Sequence, residues 1–134
     1  METMIVTGAG SGIGSALTRR LLDENYHVSA WDTDPGDLAG ANDENLDFCE
    51  LDVRDADALY DVVTAHRPDY VFHLAAQSLV RYSYDHPVET MATNVMGTVN
   101  LLDALRRAVR THRLGALAAV DLGLAEMAAV HKAM

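Results

Sequence analysis

The sequence contains a single cysteine, Cys49, so no disulfide can form within the chain, and a reducing, cytoplasmic setting is the simplest account of it. It also contains a single lysine, Lys132, and its ten basic residues are outnumbered by twenty Asp and Glu, for a formal net charge of −10. That balance argues against nucleic acid or an anionic membrane surface as a partner. It leaves a phosphate-bearing ligand open, because backbone amides at a helix end hold phosphate without any cation. No apolar run is long and uncharged enough to span a bilayer. The apolar stretch opening at Met4 has no basic segment before it and no cleavage site after it, so no export signal is read. The first 110 residues hold no repeat or low-complexity tract.

What is present suits a globular chain. Hydrophobic residues make up 49% of 134, which allows one domain with a real core but is short for most complete enzymes. Short apolar runs alternate with segments of helical spacing, as in a parallel sheet with crossover helices. Strands are expected over 4–7, 27–31, 46–51 and 70–74. Helices are expected over 13–22, where Ile13, Ala16, Leu17 and Leu21 share a face, and from an Asp55 cap to about His66, with Leu59, Val62 and Val63 facing inward. Asn25 and Pro68 are read as the stops. A polar, aromatic-bearing loop over 77–87 then precedes a long helix over 88–109. The Ala-rich remainder stands apart as a segment of its own, 113–134. Within it, a strand over 116–120 followed by a helix and one helix throughout are equally consistent with the periodicity.

The strongest chemical signal is Thr7-Gly8-Ala9-Gly10-Ser11-Gly12-Ile13-Gly14, set between the first strand and the first helix. Gly8 permits the sharp turn out of the strand, Gly12 lets the backbone approach a pyrophosphate, and Gly14 lets the helix pack close to the sheet. Gly10, Ser11 and Ile13 complete the candidate phosphate loop, with the free amides and positive dipole end of the helix behind them. Asp32 follows the second strand at the distance where an acid accepts hydrogen bonds from the adenosine ribose, and its charge disfavours a 2′-phosphate. The expected ligand is therefore NAD rather than NADP; the plainer reading of Asp32 is a turn residue in Asp-Thr-Asp-Pro. For Asp52, contact with an adenine amino group beside the Val53 amide and simple loop initiation are both open. The fold class these signals define is α/β, a Rossmann-type three-layer α/β/α arrangement with a parallel sheet of four to five strands, whose NAD-binding domain occupies 1–112.

Strand, glycine loop, Asp32 and Leu51-Asp52-Val53 together resemble the start of a short-chain dehydrogenase/reductase. Val71-Phe72-His73-Leu74-Ala75-Ala76-Gln77-Ser78-Leu79-Val80-Arg81 narrows this, as does Thr93-Asn94-Val95-Met96-Gly97-Thr98. Over roughly 4–110 the chain resembles the extended branch, the NAD-dependent epimerases and dehydratases, and within it the nucleotide-sugar 4,6-dehydratases, most of all those acting on CDP-glucose. The resemblance implies that Leu74, Ala75 and Ala76 run beside the cofactor ribose and pyrophosphate. It implies that Asn94 supports the active-site end of the long helix and belongs with the cofactor residues, and that Gln77, Ser78 and Arg81 lie near a sugar nucleotide. It further implies a hydride taken by NAD from the sugar C4, loss of water across C5 and C6, and a homodimer or higher oligomer built on the long helix.

Two departures accompany the resemblance. The glycine spacing is that of the single-domain branch; the extended branch usually has its middle glycine where Ser11 stands. The family's base is a tyrosine followed four residues later by lysine, and four residues before Lys132 stands Ala128. No catalytic residue is therefore assigned, and the chain is expected to be truncated relative to the family and not to turn over alone. Three readings stand: a truncated or degenerate relative of the dehydratases and epimerases, a non-catalytic dinucleotide-binding or oligomerisation domain, and a small enzyme using other residues. The Ala-rich tail either covers a sheet edge or reflects an altered reading frame. Six scattered histidines show no metal-ligand spacing, so no metal is expected. Tyr82, Tyr84 and His86 either line a pocket or pack their loop. Asp103 and Arg106 read as a solvated pair, and Arg106, Arg107, Arg110 and Arg113 complement the dipole of the long helix.

Overall fold

The computed structural model describes residues 1–111, 119–124 and 127–131. β1 (Thr3–Thr7) leads through the glycine loop into α1 (Gly12–Asp23), and β2 (His27–Asp32), a single tight turn (Gly36–Leu38) and β3 (Leu46–Glu50) follow. Next come α2 (Ala56–His66) and β4 (Tyr70–His73), then α3 (Val80–Asp85), α4 (Pro87–Met91) and α5 (Gly97–Arg110). The chain closes with β5 (Ala119–Leu124) and β6 (Met127–His131).

The strands form one sheet in the order β3-β2-β1-β4-β5-β6. The first five run parallel, and β6 returns antiparallel to β5. Along β1 the side chains alternate between two cores, as the pleat requires. Ile5 joins Trp31, Leu59, Val63, Val71, Leu101 and Leu105 under α2 and α5. Met4 and Val6 join Val28, Ala30 and Leu21 under α1. With both faces covered, the three-layer α/β/α fold is in place. Among the described residues no helix is long and apolar enough to cross a membrane.

Local stops follow their chemistry. Asn25 takes a left-handed φ of 63° after α1, while the amides of Glu24 and Tyr26 satisfy the last carbonyls at Arg20 and Leu21. Asp55 caps α2 by accepting the Ala58 amide, and Arg67, left-handed at φ 48°, closes that helix before the buried Pro68.

Three expectations need correction. The stretch 77–87 is not all loop, because it contains α3. That helix buries no residue, so it left no apolar periodicity to read. The helix expected over 88–109 runs from Pro87 to Arg110 but widens over Ala92–Met96 into a π turn, where the Gly97 amide reaches the Ala92 carbonyl. Finally, no helix forms over 119–124 or 127–131. These residues are β5 and β6: β5 completes five parallel strands, within the four to five expected, and β6 adds an antiparallel strand at the edge. The open edge of β4 offers backbone partners that only a strand can take up, and short apolar runs do not reveal that. Residues 116–118 of the expected fifth strand, together with Arg113 and Lys132, lie outside the described residues.

Candidate functional site

In an open parallel sheet the ligand crevice lies beyond the carboxyl ends of the strands, where the strand order reverses. Here that point falls between β1 and β4, and the glycine loop and residues 74–77 emerge there side by side. Gly8, at φ 69°, is packed so closely that a Cβ would lie 2.8 Å from the Leu74 carbonyl carbon and 2.9 Å from the Ala75 nitrogen. Gly14 is tighter still, with a Cβ falling 1.9 Å from the Gly8 oxygen. A Cβ on Gly12, at φ 53°, meets nothing within 4 Å. The loop is thus closed on its inner side and open at Gly12.

Behind that opening stands the N-terminus of α1. Ser11 occupies the cap position without a side-chain cap bond, and the first turn carries no acidic residue. Gly12, Ile13 and Gly14 therefore present helix-start amides to a free space, which suits a pyrophosphate. Asp32 Oδ2 accepts the Gly10 amide at 2.9 Å, and its Oδ1 accepts the Asp34 amide at 3.3 Å. A carboxylate has about four acceptor sites, so capacity remains for ribose hydroxyls. The opposite wall of the loop is held by Asp37, whose amide donates to the Gly10 carbonyl at 2.7 Å and whose carboxylate accepts the Ser15 hydroxyl at 3.0 Å. The sequence reading did not single out Asp37 or the close fit of Gly36 against Gly10. Both depend on a turn folding back onto the loop.

The remaining candidates are distributed unevenly. Asp52 forks onto Arg54, with Arg54 Nη2 2.6 Å from its Oδ2, and accepts the Arg54 amide at 2.9 Å. These hydrogen bonds hold its carboxyl below the ordinary carboxylate range. The turn-forming geometry is thereby realised in this structure. Val53 is buried, and its carbonyl accepts Asn100 Nδ2 at 3.1 Å. A Cβ on Gly97 would meet Val53 Cγ2 at 2.6 Å, so the start of α5 packs against Val53 only because residue 97 has no side chain.

Leu74, Ala75 and Ala76 are half-buried beside the glycine loop. Asn94 clamps the next residue, its Oδ1 accepting the Gln77 amide at 2.7 Å and its Nδ2 donating to the Gln77 carbonyl at 2.8 Å. The Gln77 side chain is itself engaged, donating to the Leu79 carbonyl and Thr90 Oγ1 and accepting the Leu79 amide. Ser78 and Arg81 are exposed and have no side-chain partner among the described residues. Tyr82 stacks on His86 with ring centroids 4.3 Å apart and donates its hydroxyl to Glu89 at 2.8 Å, which favours loop packing for this pair. That bond holds the Tyr82 phenol above its usual range.

The fold also assembles a cluster that spacing concealed. His27 Nε2 and His66 Nε2 lie 3.0 Å and 3.6 Å from Asp47 Oδ2. Among the described residues, no group of three His, Cys, Asp or Glu is arranged to hold a metal ion.

Compared with known proteins, residues 4–120 match the family described as NAD dependent epimerase/dehydratase. The CDP-glucose 4,6-dehydratase of Salmonella typhimurium is 50% identical over 56 residues, 42% of this chain and 16% of that protein. The UDP-glucose 4-epimerase of Mycolicibacterium smegmatis is 39% identical over 113 residues, 78% of this chain and 34% of that one. Among solved structures, the Thermus thermophilus UDP-glucose 4-epimerase in complex with NAD is similar at a TM-score of 0.66 and 32% identity, covering 80% of this chain and 34% of the other. The chain thus spans 34% or less of the length of these proteins.

Proposed function

The chain belongs to the NAD-dependent epimerase/dehydratase family, and from that premise we propose that it holds NAD across the β1–β4 crevice as the cofactor-binding part of a nucleotide-sugar enzyme. The observation that carries this reading is the open space at Gly12 before the uncapped start of α1, with Asp32 at the neighbouring strand end. Gly10, Ser11, Gly12, Ile13 and Gly14 hold the pyrophosphate through backbone amides, while Asp32 takes the adenosine ribose and repels a 2′-phosphate. Leu74, Ala75 and Ala76 form the opposite wall, and Asn94 sets that wall through Gln77 rather than by touching the ligand. Bound NAD supplies the hydride acceptor for sugar oxidation.

The substrate class is a nucleoside-diphosphate sugar, in keeping with the CDP-glucose and UDP-glucose enzymes to which the chain is similar. Exposed Arg81 and Ser78 are the positions suited to its diphosphate, whereas the Gln77 side chain is committed to the loop. No Tyr-x-x-x-Lys pair stands in this sequence, so its own residues bind and orient without supplying that base for dehydratase (lyase) or epimerase turnover. The chain self-associates through the outer face of α4 and α5. Val88, Met91, Val95, Val99 and Leu102 are exposed there at helical spacing, and Pro87, Val88, Met91 and Val95 line an apolar groove. A cytoplasmic setting agrees with the lone Cys49.

Calorimetry tests the reading with NAD, NADP and CDP-glucose. NAD is expected to bind at least about tenfold more tightly than NADP, with the gap narrowed in Asp32→Ala. Absence of heat with every dinucleotide would sink the cofactor claim. Formation of a 4-keto sugar by this chain would overturn the statement that it lacks a working base.

A further inference from the structure

We propose that His73 is a positioning residue: as a neutral imidazole with its proton on Nε2, it ties the end of β1 to the long helix and so sets the 74–77 wall of the crevice. The assignment follows from hydrogen-bond counting. Thr7 Oγ1 accepts the Ala75 amide at 3.1 Å and shares the Leu74 amide with the Thr7 backbone carbonyl, at 3.0 Å and 3.2 Å respectively. A hydroxyl has two lone pairs and one proton, so the Thr7 proton is directed to its remaining neighbour, His73 Nδ1, 2.7 Å away. Nδ1 is therefore an acceptor, and the ring proton sits on Nε2. Nε2 donates to Thr98 Oγ1 at 3.1 Å, and Thr98 passes its own proton to the Asn94 carbonyl at 3.0 Å. The Asn94 side chain then grips the Gln77 backbone at both its amide and its carbonyl.

Every donor in the chain points one way, from the Leu74 and Ala75 amides through Thr7, His73 and Thr98 to Asn94. The segment 74–77 is thus held at its start by Thr7 and at its end by Asn94, with His73 joining the two holds. The ring is 1% exposed, so no water replaces either bond. Burial also lowers its pKa to about 4, which keeps the accepting Nδ1 free of a proton. A second proton would face a Thr7 oxygen whose lone pairs are already taken. The inference rests on the NAD reading only for what the wall contacts.

The test uses the full 134-residue chain. Long-range ¹H–¹⁵N spectra of the unliganded protein at neutral pH should show His73 with a bare Nδ1 and a protonated Nε2; an Nδ1–H form or a tautomer mixture overturns the proposal. His73→Asn can still accept from Thr7 through its side-chain oxygen, whereas His73→Phe cannot. Leu74 and Ala75 amide exchange is expected to quicken about tenfold in His73→Phe, with a similar loss of NAD affinity, and to stay within about threefold in His73→Asn. Equal behaviour of the two variants overturns the proposal. If His73→Phe does not fold, Thr98→Val takes its place and is expected to move the Nε2 resonance alone; no movement counts against the relay. Should the wild type take up no NAD, the cofactor reading falls, while ring tautomer and amide exchange still decide the relay.

Discussion

In the loop between β1 and α1, a Cβ at Gly12 would enter open space, whereas one at Gly14 would lie 1.9 Å from the Gly8 carbonyl oxygen. Substitutions at the two positions are therefore expected to separate binding from folding. Gly12→Ala carries only the strain of its positive φ, about 1 kcal/mol, and keeps its fold in thermal melts. Its NAD affinity is expected to fall about tenfold or more, because the new methyl occupies the pyrophosphate approach. Gly14→Ala forces helix and strand apart and is expected to cost about 3 kcal/mol or more in urea titrations, whatever the ligand. The spacing made both glycines legible. Gly97 was not legible as a packing glycine, because its reason is Val53, which only the folded chain brings against it.

His73 adds a pH effect at the same scale. Its folded pKa of about 4 lies below the ordinary 6.5, so between these values the unfolded chain binds the extra proton. Stability from this group is complete above pH 6.5 and declines as pH falls toward 4, by on the order of 3 kcal/mol in all. Denaturant titrations at pH 7 and pH 5 should show a loss for the wild type that shrinks in His73→Asn. Equal losses in both proteins would assign the acid sensitivity to other groups.

Among the elements, α2 and the long helix are held by different means. Asp55 accepts the Ala58 amide at the start of α2, and replacing it with Ala is expected to cost about 1 kcal/mol, read as a shift in urea midpoint. This cap was legible because an Asp before an apolar-periodic run has one main use. The long helix shows its two faces directly, with Leu101, Ala104, Leu105 and Ala108 buried and Val88, Met91, Val99 and Leu102 exposed. Its extent was legible from that amphipathic spacing, but the π turn over Ala92–Met96 was not. The Asp103–Arg106 pair, with Arg106 Nη2 2.7 Å from Asp103 Oδ1, is solvated as its spacing implies and adds little to stability.

For the molecule as a whole, the exposed apolar face of α4 and α5 and the acidic surface make opposite demands on solubility. Met91, 61% exposed, stands on that face between the exposed Val88 and Val95. Met91→Glu is expected to shift the proposed self-association to monomer in sedimentation experiments while leaving NAD binding intact, since Met91 is not a partner in the hydrogen bonds that hold the glycine loop or residues 74–77. A wild type that sediments as a monomer at high concentration would remove the self-association proposal.

The sequence by itself determined the α/β alternation, the two-sided burial of the central strands, the glycine loop at a strand-to-helix junction, and Asp32 at the next strand end. These are local facts, written in apolar period and in residue types with one dominant use. Only the tertiary structure decided which strand lies beside which and that the chain's last described segments pair as β5 and β6. It alone committed Asp52 to Arg54, brought Asp47 between two histidines, and joined His73 to Thr7 and Thr98. Each of these depends on partners far apart along the chain, and hydrogen-bond capacity is assigned only when every neighbour of a buried group is in place. The excess of acidic over basic residues noted at the outset thus has a physical complement in the fold: the candidate phosphate site is formed by backbone amides and a helix end rather than by Lys or Arg.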